Sequence, residues 1–190
     1  LDAQRESGEA LIDLALTRLR HLDELVATHG GADAPDTALV NGERSALRAS
    51  AWKRLASLHA KAILAGKPAA NSGVVMVQAL ADSAEAYRLA ERNSGTGQFS
   101  PYQALNRLAL ESLLPTLPAA PRDAAIEAAR QCAQIAARSF ATSFEPWDAV
   151  MQTEALLVER MLDGSLAAPG FDGDAVRQEI ERAYDASLSH

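Results

Sequence analysis

Four histidines, one cysteine and 25 acidic side chains are the groups of this 190-residue chain that could do more than pack. His21, His29, His59 and His190 are scattered, whereas a metal ion needs several ligands at converging spacing. His21-x-x-Glu24 comes nearest, because three residues bring both groups onto one helix turn, but a bundle metal site takes a second such pair. Cys132 lies among Ala129, Ala133, Ile135 and Ala136 on a periodic face, which makes it a small buried hydrophobe and not a nucleophile. Gly95-Thr96-Gly97 has the look of a phosphate loop, yet it follows a helix, lacks a third glycine and lacks the GK[ST] ending, so a turn is expected. Asp172-Gly173-Asp174 lacks the further ligands and distal Glu of a calcium loop and is expected to open a helix, with Asp174 as its N-cap. No carboxylate pair is set apart for general acid and base roles. The expectation is a chain without catalytic residues, cofactor or metal.

Composition bounds what remains. The length suits one domain or a single elongated array. Hydrophobic residues make up 48% and aromatics only 5%, with Ala and Leu dominating and β-branched residues sparse, which predicts an all-α chain. A net charge of −7 argues against a nucleic-acid surface, which needs a basic excess. One cysteine leaves no internal disulfide and fits a reducing compartment. No apolar run reaches the roughly 20 residues of a bilayer span and no signal-peptide pattern stands at the start, so a cytoplasmic location without membrane contact is expected. The chain starts at Leu1 and not at Met, which suggests a fragment of a longer protein with an upstream domain.

The clearest boundary signals lie between Ala86 and Leu114. Asn93-Ser94-Gly95 closes one helix, and Ser100-Pro101 supplies an N-cap followed by proline at the first helical position, so two helices meet at a corner. The rest follows the same grammar. A first helix runs from about Asp2 to Thr28, with a broad stripe of Leu11, Leu14, Leu19, Leu22, Leu25 and Val26 ended by His29-Gly30-Gly31; it is expected to cap or connect, as a segment 1–31. A linker with Asp33, Pro35 and Asp36 precedes a helix from Gly42-Glu43 to Ala65, stopped by Gly66-Lys67-Pro68. Helices then follow from Val74 to Arg92 and from Pro101 to Leu114, where Pro115 and Pro118 force a break. Pro121 opens the next, Ser143-Phe144-Glu145-Pro146 the one after, and a final helix covers Ala175 to about Ser187.

Side by side, these helices show a repeat. Trp52, Tyr102 and Trp147 each sit in the leading helix of a pair, 50 and 45 residues apart, and Tyr87, Phe140 and Tyr184 follow in the partner helices. Three antiparallel hairpins, about 43–92, 101–141 and 146–188, form a repeat domain 42–190, and stacking them gives an α-solenoid with a continuous core; an irregular helical bundle is the alternative. Trp52-x-x-Leu55-Ala56 followed by Tyr87-x-x-Ala90 resembles the tetratricopeptide (TPR) pattern, and Trp147-x-x-Val150 with Tyr184 echoes it. Ala56 stands where that pattern has glycine, His59 where it has an aromatic, and the aromatic pair is wider than a 34-residue unit allows. The strings SALRASAWKRLA, AYRLAERNSG, PYQALNRLALESLL and SFEPWDAVMQTEALLVERML also resemble the TPR-like segment attached in bacteria to CHAT proteins, which carry a caspase-like peptidase domain. The resemblance covers about Glu43 to Tyr184 and carries no catalytic dyad.

A TPR-like scaffold implies a groove lined by the leading helices, with the anchor aromatics inside the hairpins. Lys53, Ser57 and Lys61, then Gln103, Arg107 and Glu111, then Asp148 and Gln152 fall on one wheel face, suited to an extended peptide or a partner helix or else simply exposed. Asn106 lies on the apolar side one turn from Tyr102 and is expected to bond the backbone of a neighbouring helix. Between Glu43 and Lys67, six bases (Arg44, Arg48, Lys53, Arg54, Lys61, Lys67) face one acid, either as a solvated surface or as a dock for an acidic segment. The expected function is non-enzymatic protein–protein interaction, as scaffold or sensor of a larger bacterial protein. The alternatives are cis-regulation of an attached effector such as a caspase-like peptidase, structural dimerisation, and a helical enzyme with an unrecognised pocket.

Overall fold

The computed structural model describes residues 2–29, 37–92, 100–114 and 119–189. Among them are seven α-helices, a short 3-10 turn and no strand: α1 Asp2–His29, α2 Thr37–Leu64, α3 Ser72–Arg92, α4 Pro101–Ser112, α5 Ala119–Ser143, α6 Pro146–Leu162, the turn Ser165–Ala167, and α7 Gly170–Leu188. The all-α expectation holds. The expected turns at 30–36, with Asp33, Pro35 and Asp36, at Asn93-Ser94-Gly95 and Gly95-Thr96-Gly97, and at Pro115 and Pro118 lie outside the described residues. The chain divides into two compact units, Leu1–Phe99 and Ser100–His190.

In the first unit α2 packs against both α1 and α3. Ser45, Ala49, Ala56 and His59 of α2 and Ala79, Ser83, Ala86 and Ala90 of α3 are buried at three- and four-residue spacing, so small side chains form the seam and the helices approach closely. Ser83 Oγ donates to Ala49 O at 2.7 Å and His59 Nδ1 lies 3.2 Å from Ser72 Oγ, an antiparallel register, and Ser50 Oγ shares a hydrogen bond with Tyr87 Oη at 3.2 Å. Tyr87 is fully buried. The end of α2 is a Schellman arrangement: Gly66 sits at φ +68°, Lys67 N–H bonds Ala62 O and Gly66 N–H bonds Ile63 O. The start of α2 differs from the expectation at Gly42-Glu43. Asn41 and Gly42 lie inside the helix, where Gly42 is buried and Arg44 and Arg48 are tied to Asp23 of α1, so tertiary contact overrides their turn preference.

In the second unit α6 packs against α4, α5 and α7. Its core joins Leu105 and Leu108 of α4, Ala129 and Cys132 of α5, and Ala155, Val158 and Leu162 of α6. Arg130 pairs with Glu159 and Arg160 with Glu179, and Thr153 Oγ1 donates to Ala183 O, all in antiparallel register. Ser100 occupies the N-cap of α4 in extended backbone with Pro101 next, as expected, although its hydroxyl makes no capping bond. Two helix starts need correction. α5 begins at Ala119, two residues before Pro121, and α7 begins at Gly170, so Asp172-Gly173-Asp174 lies within the helix and Pro169, not Asp174, is the N-cap.

Candidate protein-docking groove

The 28 residues of α1 carry two neighbouring stripes at alternating spacings of four and three. Arg5, Glu9, Ile12, Leu16, Leu19, Asp23 and Val26 are half-buried and face α2. Asp23 pairs with Arg44 and Arg48, and Glu9 Oε1 lies 3.3 Å from His59 Nε2. The adjoining stripe, Leu11, Ala15, Arg18, Leu22 and Leu25, is left open; Leu11 is 65% exposed and Leu25 55%. Opposite it α2 presents Leu47, Ala51, Arg54, Leu58 and Lys61 at the same spacing, with Leu47 59% exposed.

Along this seam lie two adjoining hollows of about 530 and 490 Å³, which share Leu11, Ala15, Arg54 and the buried Ala51. Their lining includes the cations Arg18, Arg54 and Lys61 and no carboxylate. All three cations are exposed, and among the described residues none of them is in an ion pair. The hollows thus have a largely apolar floor and cationic rims. Small sites are usually concave pockets that enclose their ligand, whereas an open seam this long suits a segment of protein.

A third cleft, of about 300 Å³, lies at the His59 end of α1 and α2. There Ala69 N–H donates to Ser72 Oγ at 2.9 Å and Ser72 Oγ lies 3.2 Å from His59 Nδ1. Since Ser72 Oγ already accepts one bond, its own proton can go to Nδ1, and the Nε2–H then points at Glu9. This is the acid, imidazole and hydroxyl order of a nucleophilic relay, but Ser72 is 1% exposed and its oxygen is engaged by Ala69, so the chain of bonds ties α1, α2 and α3 together. Among the described residues no three His, Cys, Asp or Glu side chains converge to hold a metal ion. Cys132 is fully buried.

The wheel positions expected to share a surface separate. Ser57 and Lys61 line the α1–α2 groove, while Lys53 Nζ lies 5.9 Å over the Tyr87 ring. In the second unit Arg107 and Glu111 pair with each other at 2.9 Å, Asp148 accepts from Ser139 and Ser143, Gln152 is half-buried, and Gln103 Oε1 is buried with no hydrogen-bond partner among the described residues. Of the aromatics, Tyr87 is buried and Trp52, Phe140 and Tyr184 are half-buried. Tyr102 and Trp147 are corrections: they are 51% and 74% exposed and do not anchor a hairpin interior. Each stands in the first turn of its helix, directly after the opening proline; for Trp147 the partner has run out, since Thr153 already meets Ala183 and Ser187 near the end of α7. Asn106 is half-buried and donates to Tyr102 O of its own helix at 2.9 Å. The α1 leucines and Arg54 are legible in the sequence separately, as a broad stripe and as part of a basic segment; their meeting in one groove is not. The stripe on α1 is too broad for one neighbour to cover.

Comparison with family models, with curated proteins and with solved structures finds no match to this chain.

Proposed function

We propose that this chain is a non-enzymatic protein-interaction module whose docking face is the open seam between α1 and α2. The single observation that carries this is the α1–α2 seam, where Leu11, Leu22 and Leu47 stay exposed around two hollows floored by buried Ala51 and half-buried Leu58. Contiguous exposed apolar surface is costly in water, and a polar rim around it marks a site that a partner covers. We read the architecture as a TPR-like α-solenoid: α2 with α3, α4 with α5 and α6 with α7 as successive hairpins, and α1 before them. Antiparallel packing of α2 on α3 and of α6 on α7, and the contacts of α6 with α4 and α5, support that reading within each unit.

The test uses the wild-type chain and a Leu11→Asp, Leu47→Asp variant as baits in an extract of the native source, followed by direct binding of each captured protein in purified form. Both leucines are exposed, so the variant is expected to keep its circular dichroism and melting temperature. A purified protein that binds the wild type and not the variant supports the proposal. Equal binding to both places the docking face elsewhere.

A further inference from the structure

We infer that the α1–α2 groove takes one amphipathic α-helix with acidic flanks, supplied by a different protein; this rests on the docking reading above. Three observations select that occupant. First, both walls repeat at alternating spacings of three and four residues, Leu11, Ala15, Arg18, Leu22 and Leu25 on α1 against Leu47, Ala51, Arg54, Leu58 and Lys61 on α2. That 3.5-residue period is what a third helix meets when its knobs enter holes between two others, whereas an extended strand offers a two-residue period. The repeat spans 15 residues of each wall, a rise of about 21 Å at 1.5 Å per step, so the occupant needs about four turns.

Second, the rims carry charge of one sign. Arg54 and Lys61 stand two turns apart on α2 and Arg18 stands on α1, all without a carboxylate partner among the described residues in a chain of net charge −7. Arg44 and Arg48, from the same basic segment, are paired with Asp23 and do not line the groove. A helix with Glu or Asp spaced seven residues apart on the flank toward α2, and another on the flank toward α1, would complete the three pairs in the way flanking charges choose coiled-coil partners. Third, the same charges disfavour a second copy. A two-fold interface brings a patch against itself, which would set Arg18, Arg54 and Lys61 against their own equivalents.

The probe is a fluorescein-labelled synthetic helix of about four turns with Leu at alternating three- and four-residue spacing and Glu on both flanks, beside the same peptide with Lys flanks, both followed by fluorescence anisotropy. The Glu peptide is expected to bind the wild type, to weaken as salt rises, and to lose about tenfold or more in affinity on Arg54→Glu with Lys61→Glu, whose exposed positions leave the fold intact by circular dichroism. The Lys peptide is expected to prefer that variant. If the Lys peptide binds the wild type as well as the Glu peptide does and Leu11→Asp abolishes both, the docking face stands and the acidic occupant is overturned. If neither peptide binds the wild type, the inference is overturned. If sedimentation shows a dimer that Leu11→Asp dissolves, the occupant is a second copy and the inference falls.

Discussion

His59 Nε2 stands 3.3 Å from Glu9 Oε1 while the other ring nitrogen stands 3.2 Å from Ser72 Oγ, so one buried imidazole joins α2 to the helix before it and the helix after it. His59→Ala removes both links and opens a cavity, with an expected loss of about 2–4 kcal/mol. Glu9→Gln keeps the shape and, at a partly exposed site, is expected to cost about 1 kcal/mol or less. Urea denaturation of the two variants checks the order; equal losses would mean that the imidazole is not the joint.

Tyr87 is expected to hold the α2–α3 seam chiefly through its ring. Fully buried and beneath Lys53, it should cost about 3–5 kcal/mol as Tyr87→Ala and about 1 kcal/mol as Tyr87→Phe, which keeps the ring and loses the bond with Ser50. Thermal unfolding of both variants separates packing from hydrogen bonding.

Gly173 sits in the second turn of α7, where a Cβ would come within 1.8 Å of Ala168 O. Ala ordinarily stabilises a helix over Gly by about 1 kcal/mol, but here the obstacle is backbone that must move. Gly173→Ala is expected to lower stability by about 1–3 kcal/mol, a sign opposite to helix propensity. A melting temperature unchanged or raised would contradict the close approach of α7 to the turn at Ser165–Ala167.

Burial, and then its hydrogen bond to Glu154 at 2.6 Å, pushes the Tyr184 phenol above the ordinary tyrosine range. The sign follows from linkage. Below the unfolded value of about 10 the phenol is protonated in both states and its contribution is complete; above it the unfolded chain ionises first, so stability is lost as pH rises. Tyr184→Phe is expected to flatten the fall of melting temperature as pH rises past about 10, relative to the wild type, and to leave it unchanged near neutrality.

What could be read from the sequence was local. Gly66, Ser100 and Pro101 carry their turn chemistry in the residues themselves, and the structure uses each where its type predicts. Gly42 and Gly173 read as helix starts but lie inside helices: next to Gly42, Arg44 and Arg48 are tied to Asp23 of α1, and Gly173 lies against Ala168 O, the first of these being a contact no short window contains. Periodicity marks a helix face without saying whether a neighbour covers it. It therefore assigns Trp147 to the inside of a hairpin whose partner has ended, and shows one broad stripe on α1 without dividing it into a covered and an open part. Ser57 and Lys61 are legible as exposed positions because they are polar and lie beyond the seam with α3, whereas the exposure of Leu11 and Leu47 is not legible from their type.

The most direct test of the docking account is an amide chemical-shift map of the isotopically labelled chain titrated with the Glu-flanked helix. The account predicts shifts that concentrate on Leu11, Ala15, Leu22, Leu47, Ala51 and Leu58, with the amides of α5 to α7 unmoved. Shifts confined to α4 to α7, with the α1–α2 stripes unchanged, would contradict it.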